Sequence, residues 1–321
     1  MNTAQAQLGA VLSAGGPSLA RLLERTEARL ADVAKTHGAA LGAHAADTLA
    51  AGGKRLRPVL VFLCGDGVDE RLVAAGAAVE LLHMATLVHD DVLDGAELRR
   101  GRPTVFAEAG RSAATATGDL LFSRAFAELA ATGSEDAVRA LSTASSALAR
   151  GELMQRADAW DENVAPERYL ERCRLKTASL FEASCRLGAL FGGRPDLAPS
   201  LGQFGERLGV AFQMLDDVLD VSGPAKRTGK PRGADLLDGT VTLPLILARR
   251  HDPTLPGEVT SPQEAEAVSD RITATGALED ARGQALEHVT AAKQALDGLQ
   301  LSEQRTHALQ LVADGVVERY A

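Results

Sequence analysis

Residues 74–94 read AAGAAVELLHMATLVHDDVLD, and residues 201–220 read LGQFGERLGVAFQMLDDVLD. Both are proline-free apolar runs that end in one acidic pentad: Asp90-Asp91-Val92-Leu93-Asp94 in the first, Asp216-Asp217-Val218-Leu219-Asp220 in the second. On a helix, side chains four apart share a face, with Cβ atoms about 6 Å apart. Asp90 with Asp94, and Asp216 with Asp220, therefore each offer two carboxylates from one side. Six carboxylates brought together repel and are costly to desolvate unless cations join them. Mg²⁺ is the natural cation, because it takes oxygen ligands and leaves positions for phosphate oxygens. The ordinary alternative is two solvated acidic helix ends. With Asp at about one residue in sixteen, one DDxxD arises by chance in under about a tenth of chains this long. Two arise in a few per thousand. The apolar approach to each motif argues further against a surface helix.

Working outward, proline and glycine act as punctuation. The tract between Pro103 and Pro166 reads as two Ala- and Leu-rich helices broken at Thr132-Gly133-Ser134. Ser134 would be the N-cap, with Glu135 and Asp136 in the favourable first turn. Ser261-Pro262-Gln263-Glu264 is a capping box with proline at the first helical position, and Leu301-Ser302-Glu303 suggests a last helix start. Strand-like alternation is nearly absent; Thr240-Val241-Thr242-Leu243 is the best candidate. Val221 to Gly239, rich in glycine and proline, reads as a lid beside the second motif. No repeat, low-complexity tract or long polar linker divides the chain. A single all-α domain over residues 1–321 is expected.

The bulk numbers agree. Hydrophobic residues make up 45% of 321, and aromatics only 3%, so the core must be built from Leu, Val and Ala in closely packed helices. The net charge is −9, from 34 basic and 43 acidic residues. No basic stripe is visible, which argues against a nucleic-acid partner. Six of the nine excess charges belong to the two Asp motifs. Cys64, Cys173 and Cys185 form neither an even set nor a Cys-x-x-Cys pair, which fits a reducing compartment. The opening MNTAQAQLGAVLSAGG lacks the basic region of a signal peptide. No apolar run approaches the ~20 residues of a membrane span, so a cytoplasmic location is expected.

A metal-held diphosphate also needs cations. Gly52-Gly53-Lys54-Arg55-Leu56-Arg57-Pro58 sets three beside two glycines, which allow close backbone approach to an anion. Arg99 and Arg100 follow the first motif, Lys176-Thr177 follows a basic helix start, and Lys230 sits in the Gly/Pro loop. Alone, each group reads as a solvated face or an ion-pair partner; together with the paired aspartates they point to a diphosphate. His83, seven residues before Asp90, lies on the same helix stripe, and Gln213 stands next to the second motif.

As a set, GGKRLRP, ELLHMATLVHDDVLD, ELRRGRPT, GDLL, the Lys-Thr pair, FQMLDDVLD, TGKP and VTLPLI resemble the trans-type polyprenyl (isoprenyl) diphosphate synthases. The core of the resemblance covers about Gly52 to Pro244. It implies a helical bundle around a central apolar cavity, with both acidic segments serving one magnesium-bound pyrophosphate. By this resemblance Asp90, Asp94 and Asp216 ligate Mg²⁺, while Asp91, Asp217 and Asp220 support them. Lys54, Arg57, His83 and Arg100 would hold isopentenyl diphosphate. Arg99, Lys176, Thr177, Gln213 and Lys230 would hold the allylic diphosphate, with Lys176 and Lys230 also serving its departure. Asp119 and Gln155 read as structural hydrogen-bonding residues. A homodimer is implied too.

Loss of pyrophosphate leaves an allylic cation, which the isopentenyl double bond attacks before a proton is lost. Ala85 and Thr86 precede the first motif where relatives line the pocket for the growing chain. Their small size implies a product of geranylgeranyl length or longer, and Ala85→Phe is expected to shorten it. Phe122 or Phe126, otherwise ordinary core residues, could set the floor instead. One departure stands out: many relatives carry lysine where this chain has Thr240. A class I terpene cyclase usually has an Asn/Ser/Glu metal motif in place of a second DDxxD. A non-catalytic subunit of a heteromeric synthase would be expected to lose aspartates. Both rivals fit less well.

Overall fold

The computed structural model describes residues 3–35, 39–50, 55–99, 101–223 and 232–318. Helices dominate: α1 (Thr3–Lys35), α2 (Ala39–Ala50), α3 (Leu56–Cys64), α4 (Glu70–Asp94), α5 (Val105–Ala130), α6 (Glu135–Ala157) and α7 (Pro166–Cys173) come first. Then follow α8 (Ser179–Phe191), α9 (Ala198–Ser222), α10 (Ala234–Leu237), α11 (Leu243–His251), α12 (Pro262–Ala274), α13 (Ala277–Gln294) and α14 (Glu303–Glu318). The fold is all-α, as its composition requires.

The caps fall where the side chains predict them. Ser134 Oγ accepts from Ala137 N at 3.3 Å at the start of α6. Ser261 Oγ accepts from Glu264 N at 3.3 Å, with Pro262 in the first turn of α12. The Glu264 carboxylate accepts from Thr260 N at 2.9 Å, one residue before the donor that a strict capping box uses. Ser302 Oγ accepts from Arg305 N and starts α14.

Two expectations need correction. Thr240–Leu243 is not a strand: Thr240 N donates to the Asp235 carbonyl at 2.8 Å, and the Val241 carbonyl accepts from Arg172. With those partners supplied, Leu243 and Pro244 open α11 directly. The described strands are instead β1 (Leu98–Arg99) and β2 (Arg102–Pro103), an antiparallel hairpin turning at Gly101 with φ 76°. Second, α4 is long and apolar enough, by length and composition, to cross a membrane. In the fold 78% of that stretch is buried, the state of a core helix that is hydrophobic on all sides.

The chain divides into two compact units. One comprises Met1–Ser145, Leu180–Gly202 and Gly298–Leu311; the other comprises Ser146–Ser179, Gln203–Asp297 and Val312–Ala321. In the first, α4 packs most extensively on α5, and also on α1 and α3. Its small residues permit this closeness: a Cβ at Gly76 would lie 2.6 Å from the Phe62 ring. Asp69 caps α4 at the Arg71 amide, and Gly95, with φ 62°, ends it in the left-handed conformation that glycine tolerates. Arg55 ties the surrounding helices together. Its guanidinium reaches Glu80 at 2.6 Å, both Glu27 oxygens, and the Leu49 carbonyl at 3.0 Å. Those carboxylates outweigh burial and hold its pKa above the ordinary arginine value. In the second unit α11 packs on α13, and α12 packs on α10. Arg271 on α12 pairs with Asp252 just past α11, its Nε at 3.0 Å.

Candidate active site

From Leu72 to Leu82, α4 is buried all round. Beyond that point a stripe opens: His83, Thr86, Leu87 and Asp90 are half-buried, and Asp94 is exposed. Their three- and four-residue spacing puts them on one face. Thr86 donates its hydroxyl to the His83 carbonyl at 2.7 Å. Asp91 turns inward, only 5% exposed, and accepts from Arg99 Nε at 2.7 Å. Arg99 is thus engaged with the motif itself. His89 Nε2 lies 3.3 Å from the carboxylate of Asp119, whose side chain is exposed. A Cβ at Gly118 would come within 2.2 Å of the His89 ring, so the glycine makes room for the histidine. Arg57 stacks over the Phe181 ring, 4.8 Å from its centroid.

A cleft of about 290 Å³ lies beside the motif, lined by Met84, Leu87, Val88, Asp91, Arg99 and Val105 among others. Ala85 has no accessible surface, whereas Thr86 is partly open. On α5 the Phe122 and Phe126 rings are 5.3 Å apart. Phe122 is 36% exposed, which corrects its reading as an ordinary core residue.

The second motif closes α9. Asp216 and Asp220 are half-buried, and Asp217 is 4% exposed. Asp217 accepts from Tyr169 Oη on one oxygen and from Gln213 Nε2 on the other, each at 2.7 Å. Burial and the nearby Asp235 push its pKa up to about 8, against the pull of those two donors. Gln213 in turn accepts from Thr177 Oγ1 at 2.7 Å. Asp220 accepts from the Asp235 amide at 3.2 Å.

Lys176 and Thr177 sit on a π-helical turn, Arg174–Ala178, inserted between α7 and α8; such turns recur at functional sites. Lys176 pairs with Glu152 and donates to Gln155 Oε1 at 3.2 Å. Burial would raise the Glu152 pKa, but Lys176 and Arg156 hold it below the usual value. Gln155 also reaches Thr240 Oγ1 at 3.4 Å, so the departure at that position touches the Lys176 network. The turn rests against Gly151, where a Cβ would stand 2.5 Å from Lys176 N and 2.8 Å from its Cα. Backbone cannot yield as a flexible side chain does. Gly151→Ala should destabilise the protein by about 1–3 kcal/mol; an unchanged denaturant midpoint would contradict this seat.

Neither α4 nor α9 has a basic residue in its last turn. Each motif therefore stacks carboxylates at the negative end of a helix dipole, where a charge of that sign is disfavoured by about 0.3–1 kcal/mol. An added cation relieves this. Among the described residues no three His, Cys, Asp or Glu side chains form a ready metal cage. Mg²⁺ is usually held by one or two carboxylates with phosphates and water completing the shell. Lys54, Arg100 and Lys230, and residues 224–231 of the loop read as a lid, lie outside the described residues. Of the three cations in the GGKRLRP stretch, Arg55 is committed to internal carboxylates. Tyr169, Glu152 and Gly151 were not singled out by the sequence, because their partners are distant in sequence or, for Gly151, are backbone.

Comparison with known proteins places this arrangement. The sequence profile described as Polyprenyl synthetase matches residues 39–274. Heptaprenyl diphosphate synthase component 2 of Geobacillus stearothermophilus is 41% identical over 274 residues, 83% of this chain and 86% of that one. Geranylgeranyl diphosphate synthase of Methanosarcina mazei is 36% identical, covering 84% and 86%. The crystal structure of a polyprenyl synthase from Caulobacter crescentus, complexed with calcium and isoprenyl diphosphate, superposes with a TM-score of 0.87 at 33% identity over 98% of each chain. The fold is that of the isoprenyl diphosphate synthases, and the class of protein is a prenyltransferase of the trans type. The chain belongs to the polyprenyl synthetase family.

Proposed function

We propose that this enzyme joins isopentenyl diphosphate to an allylic prenyl diphosphate, extending the allylic chain head to tail. The carrying observation is the pair of DDVLD motifs at the negative ends of two helices that lack a basic last turn, in a chain of this family. Asp90, Asp94 and Asp216 hold Mg²⁺, with Asp91, Asp217 and Asp220 supporting them. Bound there, the metal neutralises charge on the departing pyrophosphate. Arg57 and His83, with Lys54 and Arg100, bind isopentenyl diphosphate. Arg99, Lys176, Thr177 and Gln213, with Lys230, bind the allylic diphosphate and stabilise its leaving group. The C–O bond breaks, the isopentenyl double bond forms the new C–C bond, and the released pyrophosphate takes the proton. That the Caulobacter relative was solved with a divalent cation and an isoprenyl diphosphate supports both ligand classes.

The product is of geranylgeranyl length or longer, a range that the names of the two sequence relatives span. Thr86 is the better test of chain length, since a larger side chain there has open space to enter and one at Ala85 does not. Thr86→Phe should shift products to shorter chains; an unchanged product spectrum would refute this lining. The family match runs from residue 39 to 274 and draws on both units, which supports their working as one polyprenyl synthase domain. A homodimer in the cytoplasm is the expected state. The name "component 2" borne by one relative raises the heteromeric alternative. Mass analysis of products from the purified chain with several allylic primers, isopentenyl diphosphate and Mg²⁺ decides between them. Elongation by this chain alone supports the proposal, and its absence sinks it.

A further inference from the structure

Tyr169, on α7, has no accessible surface and is the largest fully buried side chain among the described residues. A buried phenol requires a hydrogen-bond partner, and this one uses the Asp217 carboxylate at 2.7 Å. From there the bonds run on without a gap: Gln213 donates to the other Asp217 oxygen, and Thr177 donates to Gln213. Thr177 stands eight residues after Tyr169, in the π-helical turn that follows α7 directly. Chain and hydrogen bonds thus form a closed ring that joins α7, the π-turn and the end of α9. Three bonds of 2.7 Å, two of them to one carboxylate, constrain the rotation of α9 and the register of the turn together. Arg172 backs the ring from outside, its guanidinium 5.4 Å from the Tyr169 centroid and bonded to the Val241 carbonyl.

We infer that Tyr169 is a positioning residue for the allylic diphosphate. Enclosed as it is, its hydroxyl reaches no substrate; it acts through Asp217 and Gln213, setting Thr177 and Lys176. The inference rests on the proposed prenyl transfer for its ligand, but the ring itself can be probed without catalysis. Tyr169→Phe keeps the packing and deletes one donor, leaving a buried carboxylate oxygen unsatisfied.

Two measurements on the full chain test it. In the first, the KM for the allylic diphosphate should rise about tenfold, equivalent to one lost hydrogen bond, while the KM for isopentenyl diphosphate stays within about twofold. In the second, amide hydrogen exchange across residues 174–179 should accelerate more than in the rest of α8. Unchanged values in both measurements overturn the inference. So does an equal rise in both KM values with faster exchange everywhere, which marks general destabilisation. A wild-type chain that elongates nothing would remove the prenyl-transfer reading, and the exchange measurement would still decide whether Tyr169 holds the turn.

Discussion

Asp216→Ala is expected to lower the elongation rate by about 10²–10³-fold, the usual cost of losing one element of a preorganised charge-stabilising site. Its effect on folding should be small. Asp216 stands near the C-terminal end of α9, among Asp217 and Asp220, with no basic residue in the last turn. Removing a carboxylate there loses whatever local partner it has, but it also takes a negative charge from the negative end of the dipole. The two changes oppose each other, so stability without metal should stay within about 1 kcal/mol of the parent. Asp90→Ala should behave alike at the end of α4. Steady-state kinetics with Mg²⁺ and denaturant unfolding without it check both halves. A rate within tenfold of the parent would remove Asp216 from the proposed metal site. A collapse in stability would show that its carboxylate serves the fold instead.

Glu80→Ala carries the largest expected effect on stability. Glu80 is 3% exposed on the central stretch of α4, and its partner Arg55 has a side chain only 9% exposed. Removing one member of such a pair leaves a buried charge undercompensated and typically costs about 3–5 kcal/mol. Arg55 keeps Glu27 and the Leu49 carbonyl, which argues for the lower end of that range. Glu80→Gln preserves shape and an acceptor and should cost less. The double change Arg55→Met with Glu80→Leu should recover most of the loss, since it removes both charges. Chemical denaturation of the four proteins forms the test. A double variant no better than Glu80→Ala alone would mean that packing, and not the buried charge, sets the cost. Arg55 also takes a left-handed backbone, φ 46°, unusual for a residue with a side chain. Its four hydrogen bonds hold it there.

The acidic motifs were legible because they depend on short-range geometry. Asp90 and Asp94 share a face whenever residues 74–94 are helical, and their composition permits little else. The breaks at Thr132-Gly133-Ser134 and Ser261-Pro262 were legible for the same reason: a cap is a contact between residues two or three apart. Ala- and Leu-rich spacing with almost no alternation gave the all-α class. The misjudged strand at Thr240–Leu243 shows the limit of local reading. Its residues suit a strand, but Asp235 and Arg172, five and about seventy residues away, take the hydrogen bonds that a neighbouring strand would need.

What sequence order alone settled is therefore what helical periodicity settles: which carboxylates travel together, where helices begin, and which class of fold can bury so many small aliphatic side chains. Choosing between neighbours of equal character lay beyond it. Nothing in GGKRLRP distinguishes the arginine bound to Glu80 and Glu27 from the one stacked on Phe181. Nor does anything in the second DDVLD mark its middle aspartate as the one that Tyr169 enfolds. A side chain's partner is selected by packing between segments far apart in the chain, and burial then decides whether its charge is spent inside the fold or remains accessible to a ligand.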